Sequence, residues 1–331
     1  MRRRMLVTVL AFGALALSAL VLAPLAGSTH ISLGAALDRS KPFVDNTDAQ
    51  IFFVARLPRV LAAALVGSAL ALAGVVFQAL LRNPLASPDT LGVSAGASLG
   101  ALVAISFHAN LSVAGLSAVP LASFAGALGA LAIVYGLSAA RRRGTSTTVL
   151  LLAGVTLTAL LSAATQFVQY LTDLTATFQT VRWLMGSLDI GSYTPIAASL
   201  VPMAAAWAGF MSLPRALDLI SLGTESAAAR GVDVVRAERI ALLSASLATG
   251  AAVSLGGPVA FIGIIVPHLV RLIVGADHRL VMPASALFGA AFLIGCDLVA
   301  RVAFAPVELP VGIVTAIIGG PFFLWLLFRR A

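Results

Sequence analysis

Charge is scarce in this chain, and most of it has one sign. Only 10% of the 331 residues are Asp, Glu, Lys or Arg, with 13 acids against 21 bases, and Lys41 is the sole lysine. Soluble domains carry about 25% charged residues, so an ordinary water-soluble protein is excluded. Cys296 is the single cysteine, which rules out an intrachain disulfide and a cysteine-based metal cluster. A Walker A loop needs Gly-Lys before Ser or Thr, whereas Lys41 follows Ser40 and precedes Pro42. The chain therefore has no P-loop with which to hydrolyse ATP. It also lacks H-E-x-x-H: His30, His108, His268 and His278 lie scattered.

What is abundant is apolar. Hydrophobic residues reach 60% and the mean hydropathy is +1.03, which excludes disorder as firmly as it excludes solubility. Each membrane span takes about 20 apolar residues. Ten runs qualify as candidate helices: Met5–Ala26, Leu57–Leu81, Leu91–Phe107, Val113–Ala140, Val149–Leu171, Tyr193–Leu213, Ile240–Leu255, Val259–Val274, Leu280–Val299 and Leu309–Phe328. The expected fold is an all-α integral membrane protein with about ten transmembrane helices, a single domain over residues 1–331. The basic start and apolar run of the first span resemble a signal peptide, but its length and the lack of a clear A-x-A site favour a retained helix.

Basic residues orient the spans, because they collect on the cytoplasmic side. Arg2–Arg4 put the N-terminus in the cytoplasm, and ten spans return the C-terminus there. The cytoplasmic segments then hold fifteen basic residues and the outer ones six, namely Arg39, Lys41, Arg56, Arg59, Arg182 and Arg301. Two polar segments interrupt the pattern, residues 28–55 outside and residues 214–239 in the cytoplasm. In the second, Thr224 is the expected N-cap, Glu225 sits in the first turn, Arg230 in the last and Gly231 just beyond. Those are the preferences of a short, capped helix.

Two function classes are disfavoured. Ion-coupled carriers bury ionisable groups in their spans, yet among the acids only Asp297 is expected to be embedded, where an ion pair or helix-end contact with Arg301 at i+4 accounts for it. A membrane hydrolase is suggested only by Gly92-Val93-Ser94-Ala95-Gly96, which opens a helix rather than a strand-to-helix elbow. Gly92, Gly96 and Gly100 read instead as a helix-packing face. Asn83-Pro84-Leu85 is expected to end the second span, Gly256-Gly257-Pro258 to form a tight outer turn, Pro267 to interrupt the eighth span and Gly319-Gly320-Pro321 to break the tenth. Arg182 is expected to anchor at the membrane interface, with contact to an anionic substrate as the alternative.

Several runs together resemble the FecCD-type permease subunits of ABC importers. They include Arg56-Leu57-Pro58-Arg59, Gln78-Ala79-Leu80-Leu81-Arg82-Asn83-Pro84-Leu85-Ala86, Leu91-Gly92-Val93-Ser94-Ala95-Gly96-Ala97, Trp183-Leu184-Met185-Gly186-Ser187-Leu188, Val266-Pro267-His268-Leu269-Val270-Arg271, Asp277-His278-Arg279 and Glu308-Leu309-Pro310-Val311-Gly312. In order, the matches span about residues 56 to 328. The resemblance implies the type II importer permease fold and import of a ferric siderophore or haem, with vitamin B12 as the alternative cargo, across the bacterial inner membrane. It implies a homodimer, two cytoplasmic ATPase subunits that bind ATP and Mg, and one extracytoplasmic binding protein, with no cofactor in this chain. It further implies that Arg56, Arg59 and Arg301 receive acidic side chains of the binding protein. Asn83 and Leu85, with Ser146 and Thr147, would form a cytoplasmic gate. Ser221, Leu222, Gly223, Thr224, Glu225, Ala229, Arg230 and Gly231 would seat in the ATPase.

Overall fold

The computed structural model describes residues 2–38, 40–107, 112–113, 116–139 and 147–328. Its helices are α1 (Arg2–Leu22), α2 (Leu33–Ala36), α3 (Thr47–Gln50), α4 (Leu57–Leu80), α5 (Val93–Ser106), α6 (Ala118–Ala139), α7 (Thr147–Leu171), α8 (Leu174–Leu184), α9 (Thr194–Met211), α10 (Pro214–Ser221), α11 (Thr224–Ala229), α12 (Val234–Gly256), α13 (Ile262–Val274), α14 (His278–Val302) and α15 (Val311–Phe328). A two-residue ribbon, Ser112–Val113 with Leu116–Ser117, precedes α6. Among the described residues, seven helical stretches are long and apolar enough to cross a membrane. Three shorter apolar helices, Val93–Ser106, Ile262–Val274 and Val311–Leu326, complete the ten expected runs.

Boundaries moved where hydropathy is a poor guide. The second span begins at Thr47 rather than Leu57, because α3 runs through a π-helical turn at Ile51–Arg56 into α4. Pro58 lacks an N–H and its ring crowds the carbonyl four residues back, so widening the preceding turn is the expected relief. Residues 234–239, assigned to a loop by their charges, are the first turns of α12, with the Asp233 carboxylate accepting from Arg236 N at 3.0 Å. Pro267 and Pro321 do not break their spans. Both lie inside continuous helices, as happens in membranes when neighbouring groups take up the freed carbonyl.

α4 is the axial helix: nearly its whole length is buried, and α14, α12 and α13 pack around it. Lipid tails are as apolar as leucine, so helices in a membrane associate through close packing of small residues. A Cβ on Gly67 would come within 2.2 Å of the Gly289 carbonyl oxygen, and one on Gly289 within 2.5 Å of that of Gly67. The α4–α14 crossing thus admits no side chain from either. Gly96 and Gly100 press in the same way on α6 at Gly126 and Ala122, which is the packing face read from the sequence. Gly92 instead takes a positive φ of 75° at the start of α5.

Gly67→Val should lower the thermal midpoint of the detergent-solubilised chain, since overpacking a close crossing costs about 1–3 kcal/mol. Gly129→Val, at a glycine on α6 with open space around it, should leave the midpoint unchanged.

Candidate functional site

Three features carry the functional reading: a charge cluster where α4 begins, the turn where α4 ends, and the segment α10–α11. At the first, Asp297 is wholly buried and takes Arg59 Nε at 2.7 Å on Oδ1 and Arg301 Nε at 3.0 Å on Oδ2. Arg59 also reaches Glu308 Oε2 at 2.5 Å, just before α15. Arg301 donates to the carbonyls of Ala26 and Ala23 at 3.2 and 3.3 Å, and Arg56 to those of Pro24, Leu25 and Thr29. A helix end leaves carbonyls unpaired and carries partial negative charge. The two arginines therefore hold the segment that follows α1 against the start of α4 and the end of α14.

The three arginines expected to face a partner are thus under 10% exposed and already engaged inside the chain. Sequence reasoning found the Asp297–Arg301 pair but missed Arg59 and Glu308 as its neighbours. Nothing local marks a contact that spans 238 residues.

At the other end of α4, Arg82 adopts a positive φ of 48° and turns the chain out of the helix. Asn83 fixes the turn: its Oδ1 accepts from Leu85 N at 3.0 Å, its backbone N donates to Gln78 O at 3.1 Å, and its carbonyl accepts from Ala86 N at 3.1 Å. Asn83 and Leu85 are half-buried. Of their expected companions, Ser146 lies outside the described residues and Thr147 is the first residue of α7.

The expected single coupling helix is two. In α10, Leu217 and Ile220 are fully buried, while Leu222 beyond it is 67% exposed. Gly223, with φ 125°, separates α10 from α11 and is the residue preceding the helix, so Thr224 is its first helical residue rather than its N-cap. Ala227 is buried beneath the α11 turn, whereas Ser221, Glu225, Ala229, Arg230 and Gly231 are exposed. Gly231 has the positive φ, 82°, expected just past a helix end;. Asp218 joins α10 to the start of α14 through His278.

Elsewhere, Ser94 Oγ donates to Asp89 Oδ1. Arg182 meets Asp189 at 3.5 Å, both side chains mostly exposed. Among the described residues, no group of three His, Cys, Asp or Glu side chains could hold a metal ion. α8, a helix absent from the ten expected runs, is capped by Asp173, whose carboxylate accepts from Ala176 N at 2.7 Å. Its exposed Leu174 and Phe178 are spaced at i,i+4, a signal that was available.

The FecCD transport family matches residues 14–329. A cobalamin import system permease protein of Halobacterium salinarum is 44% identical over 275 residues, covering 83% of this chain and 72% of that protein. The hemin transport system permease protein of Yersinia pestis is 41% identical over 278 residues, 83% of this chain and 82% of the relative. The Fe(3+) dicitrate transport system permease protein of Escherichia coli is 41% identical over 274 residues, 83% and 84% of the two chains. A solved chain described as a metal-chelate type ABC transporter in an inward-facing conformation superimposes with a TM-score of 0.84. It is 32% identical, and the match covers 97% of this chain and 98% of that one.

Removing the shared acid should expose the cluster's role. Asp297→Ala leaves two buried guanidiniums without their carboxylate and should destabilise the chain by about 3–5 kcal/mol in detergent unfolding. Glu308→Gln, at a side chain 47% exposed, should cost less than about 1 kcal/mol.

Proposed function

The chain belongs to the FecCD transport family and is a permease subunit of an ABC importer with the type II permease fold, and we propose that it carries a metal chelate inward across the cytoplasmic membrane of a bacterium. An iron chelate, haem or a ferric siderophore, is the first cargo; the 44% identity to a cobalamin permease makes cobalamin the second. The observation that carries the reading is the match along nearly the whole chain together with the α10–α11 segment, a folded projection with its own buried anchors.

The remaining parts follow from that premise. Two copies of the chain enclose the path, two ATPase subunits supply ATP and Mg chemistry that this chain has no P-loop to perform, and one binding protein delivers cargo outside. Both termini lie in the cytoplasm, in line with the arginine distribution. The exposed residues Ser221, Leu222, Glu225, Ala229, Arg230 and Gly231, with Gly223 and Thr224 between them, enter the ATPase and carry its closure into the bundle as a rigid body. Asn83 and Leu85, with Ser146 and Thr147, close the cytoplasmic mouth, where small and polar side chains seal without burying charge.

Docking is a matter of exchange. Arg56, Arg59 and Arg301 are occupied from within, and the partner's carboxylates compete for Arg59 with the half-exposed Glu308. Planar guanidinium forks suit such an exchange.

Uptake into liposomes holding this chain with its ATPase and binding protein tests the function. Accumulation of haem, a ferric siderophore or cobalamin that requires internal ATP and both partners is the expected result, and none of the three entering from an assembled, ATP-hydrolysing complex removes the cargo class. Glu308→Gln should tighten binding-protein docking and Arg56→Glu weaken it; affinity unchanged from the parent in both variants removes the docking assignment. Leu85→Trp should block uptake while ATP hydrolysis persists.

A further inference from the structure

α1 is the least buried of the spans among the described residues: along its length only Phe12 and Ala16 are shielded. It packs chiefly on α14, and a cleft of about 480 Å³ remains between α1, the last turn of α13 and the first turn of α14. Only the segment Gly275 to Asp277 joins those two helices, so one tight hairpin forms the far wall. Val7 on α1 and Ile273 on α13 line the cleft and are 58% and 70% exposed, while Leu280 at its base is buried. The cleft therefore opens on the outer surface of the bundle.

Polarity is graded along it. Arg3 and Arg4 stand at one end, and Phe12, edge-on to Phe288 of α14 at 5.8 Å, closes the other. From Arg4 to Phe12 the helix rises about 12 Å, most of the roughly 15 Å of hydrocarbon in one leaflet. Both arginines are exposed, no acid lines the cleft, and the ion pairs among the described residues lie elsewhere. The cleft thus presents two positive charges at the depth of lipid headgroups and an apolar trough at the depth of acyl chains. The match to the transport family begins at residue 14, so each α1 residue of the cleft precedes the matched region.

We propose that this cleft binds one anionic phospholipid, its phosphate held by Arg3 and Arg4 and an acyl chain laid between α1 and the α13–α14 hairpin. The inference goes beyond the importer reading and needs neither cargo nor ATPase. Water does not settle between apolar walls, and a gap facing lipid is filled by the chains that surround it. Guanidinium groups take phosphate oxygens in pairs, and juxtamembrane basic residues favour anionic over zwitterionic headgroups. A lipid seated there gives α1 a second flank, which its packing on α14 leaves open.

The purified full chain in detergent, titrated with dioleoylphosphatidylglycerol and read by native mass spectrometry, tests this. The parent should bind that lipid about 25-fold more tightly than dioleoylphosphatidylcholine, about fivefold for each arginine. Arg3→Gln and Arg4→Gln should each weaken binding about fivefold. Arg2→Gln removes the same charge from an exposed residue that does not line the cleft, and should leave the affinity unchanged. Val7→Trp fills the trough with both arginines in place and should weaken binding at least as much as the arginine variants. Inorganic phosphate, which has the charge without the chains, should not displace the lipid.

Equal affinity for the two lipids overturns the proposal. So does a loss in Arg2→Gln equal to that in Arg3→Gln, which would make the attraction a diffuse property of the basic end. Parental binding in Val7→Trp places the lipid elsewhere on the chain, and displacement by inorganic phosphate makes the site one for free anions; either overturns it. A parent chain that binds no lipid because a second copy covers the cleft does the same. All the substituted positions are exposed, so the variants should unfold at the parent's thermal midpoint without added lipid, and differences between them report binding rather than folding.

Discussion

A carboxylate buried completely between two guanidiniums is the interaction around which this molecule is arranged. Water is not present in the hydrocarbon to compensate a lone charge, and an ionised group there is tolerated only with its partner in place. Asp297 satisfies Arg59 with one oxygen and Arg301 with the other, so α4 and α14 are pinned at one end. Arg301 and the adjacent Arg56 then spend their remaining N–H groups on the carbonyls that follow α1. One acid thereby fixes where three spans stand relative to each other. Glu308, sharing Arg59 from a partly exposed position, makes the cluster accessible from outside without opening it.

Between the ends, the spans are held by shape. A Cβ on Gly67 would meet the Gly289 carbonyl oxygen at 2.2 Å, and one on Gly74 the Gly263 carbonyl oxygen at 2.0 Å. Helix axes can approach that closely only where the facing surface of α4 is bare, and dispersion gained over a long crossing replaces the hydrophobic effect that lipid does not provide. The consequence is a division of labour along α4. Its middle is locked by glycine against two neighbours, and its long polar side chains, Arg59 and Gln78, sit toward the two ends.

Much of this was legible in the sequence, and the failures have physical causes. The ten spans follow from apolar runs because backbone groups in lipid have no other way to be satisfied. The Asp297–Arg301 pair was legible because i,i+4 residues share a helix face. Arg59 and Glu308 were not, since their proximity to Asp297 depends on the three-dimensional path of the chain. Residues 234–239 were misassigned because Arg236 and Arg239 depress hydropathy without breaking a helix. Pro267 and Pro321 misled in the opposite sense: proline signals a stop in water, but a buried helix can run through it. Thr224 has the chemistry of a cap, yet Gly223 takes that place because only glycine accepts the φ of 125° found there;.

The packing of α1 has a consequence for how the protein is made. Apart from a slight contact with α4, α1 leans on α14, with Phe12 edge-on to Phe288 at 5.8 Å, and about 255 residues separate the two in translation order. During synthesis α1 must enter the bilayer and wait, the segment behind it not yet held by Arg301, until nearly all other spans have emerged. Arg59 waits likewise for Asp297. Final assembly is therefore postponed to the insertion of α14, and a ribosome stalled before that point leaves a chain whose spans are in the membrane but whose charges are not yet neutralised.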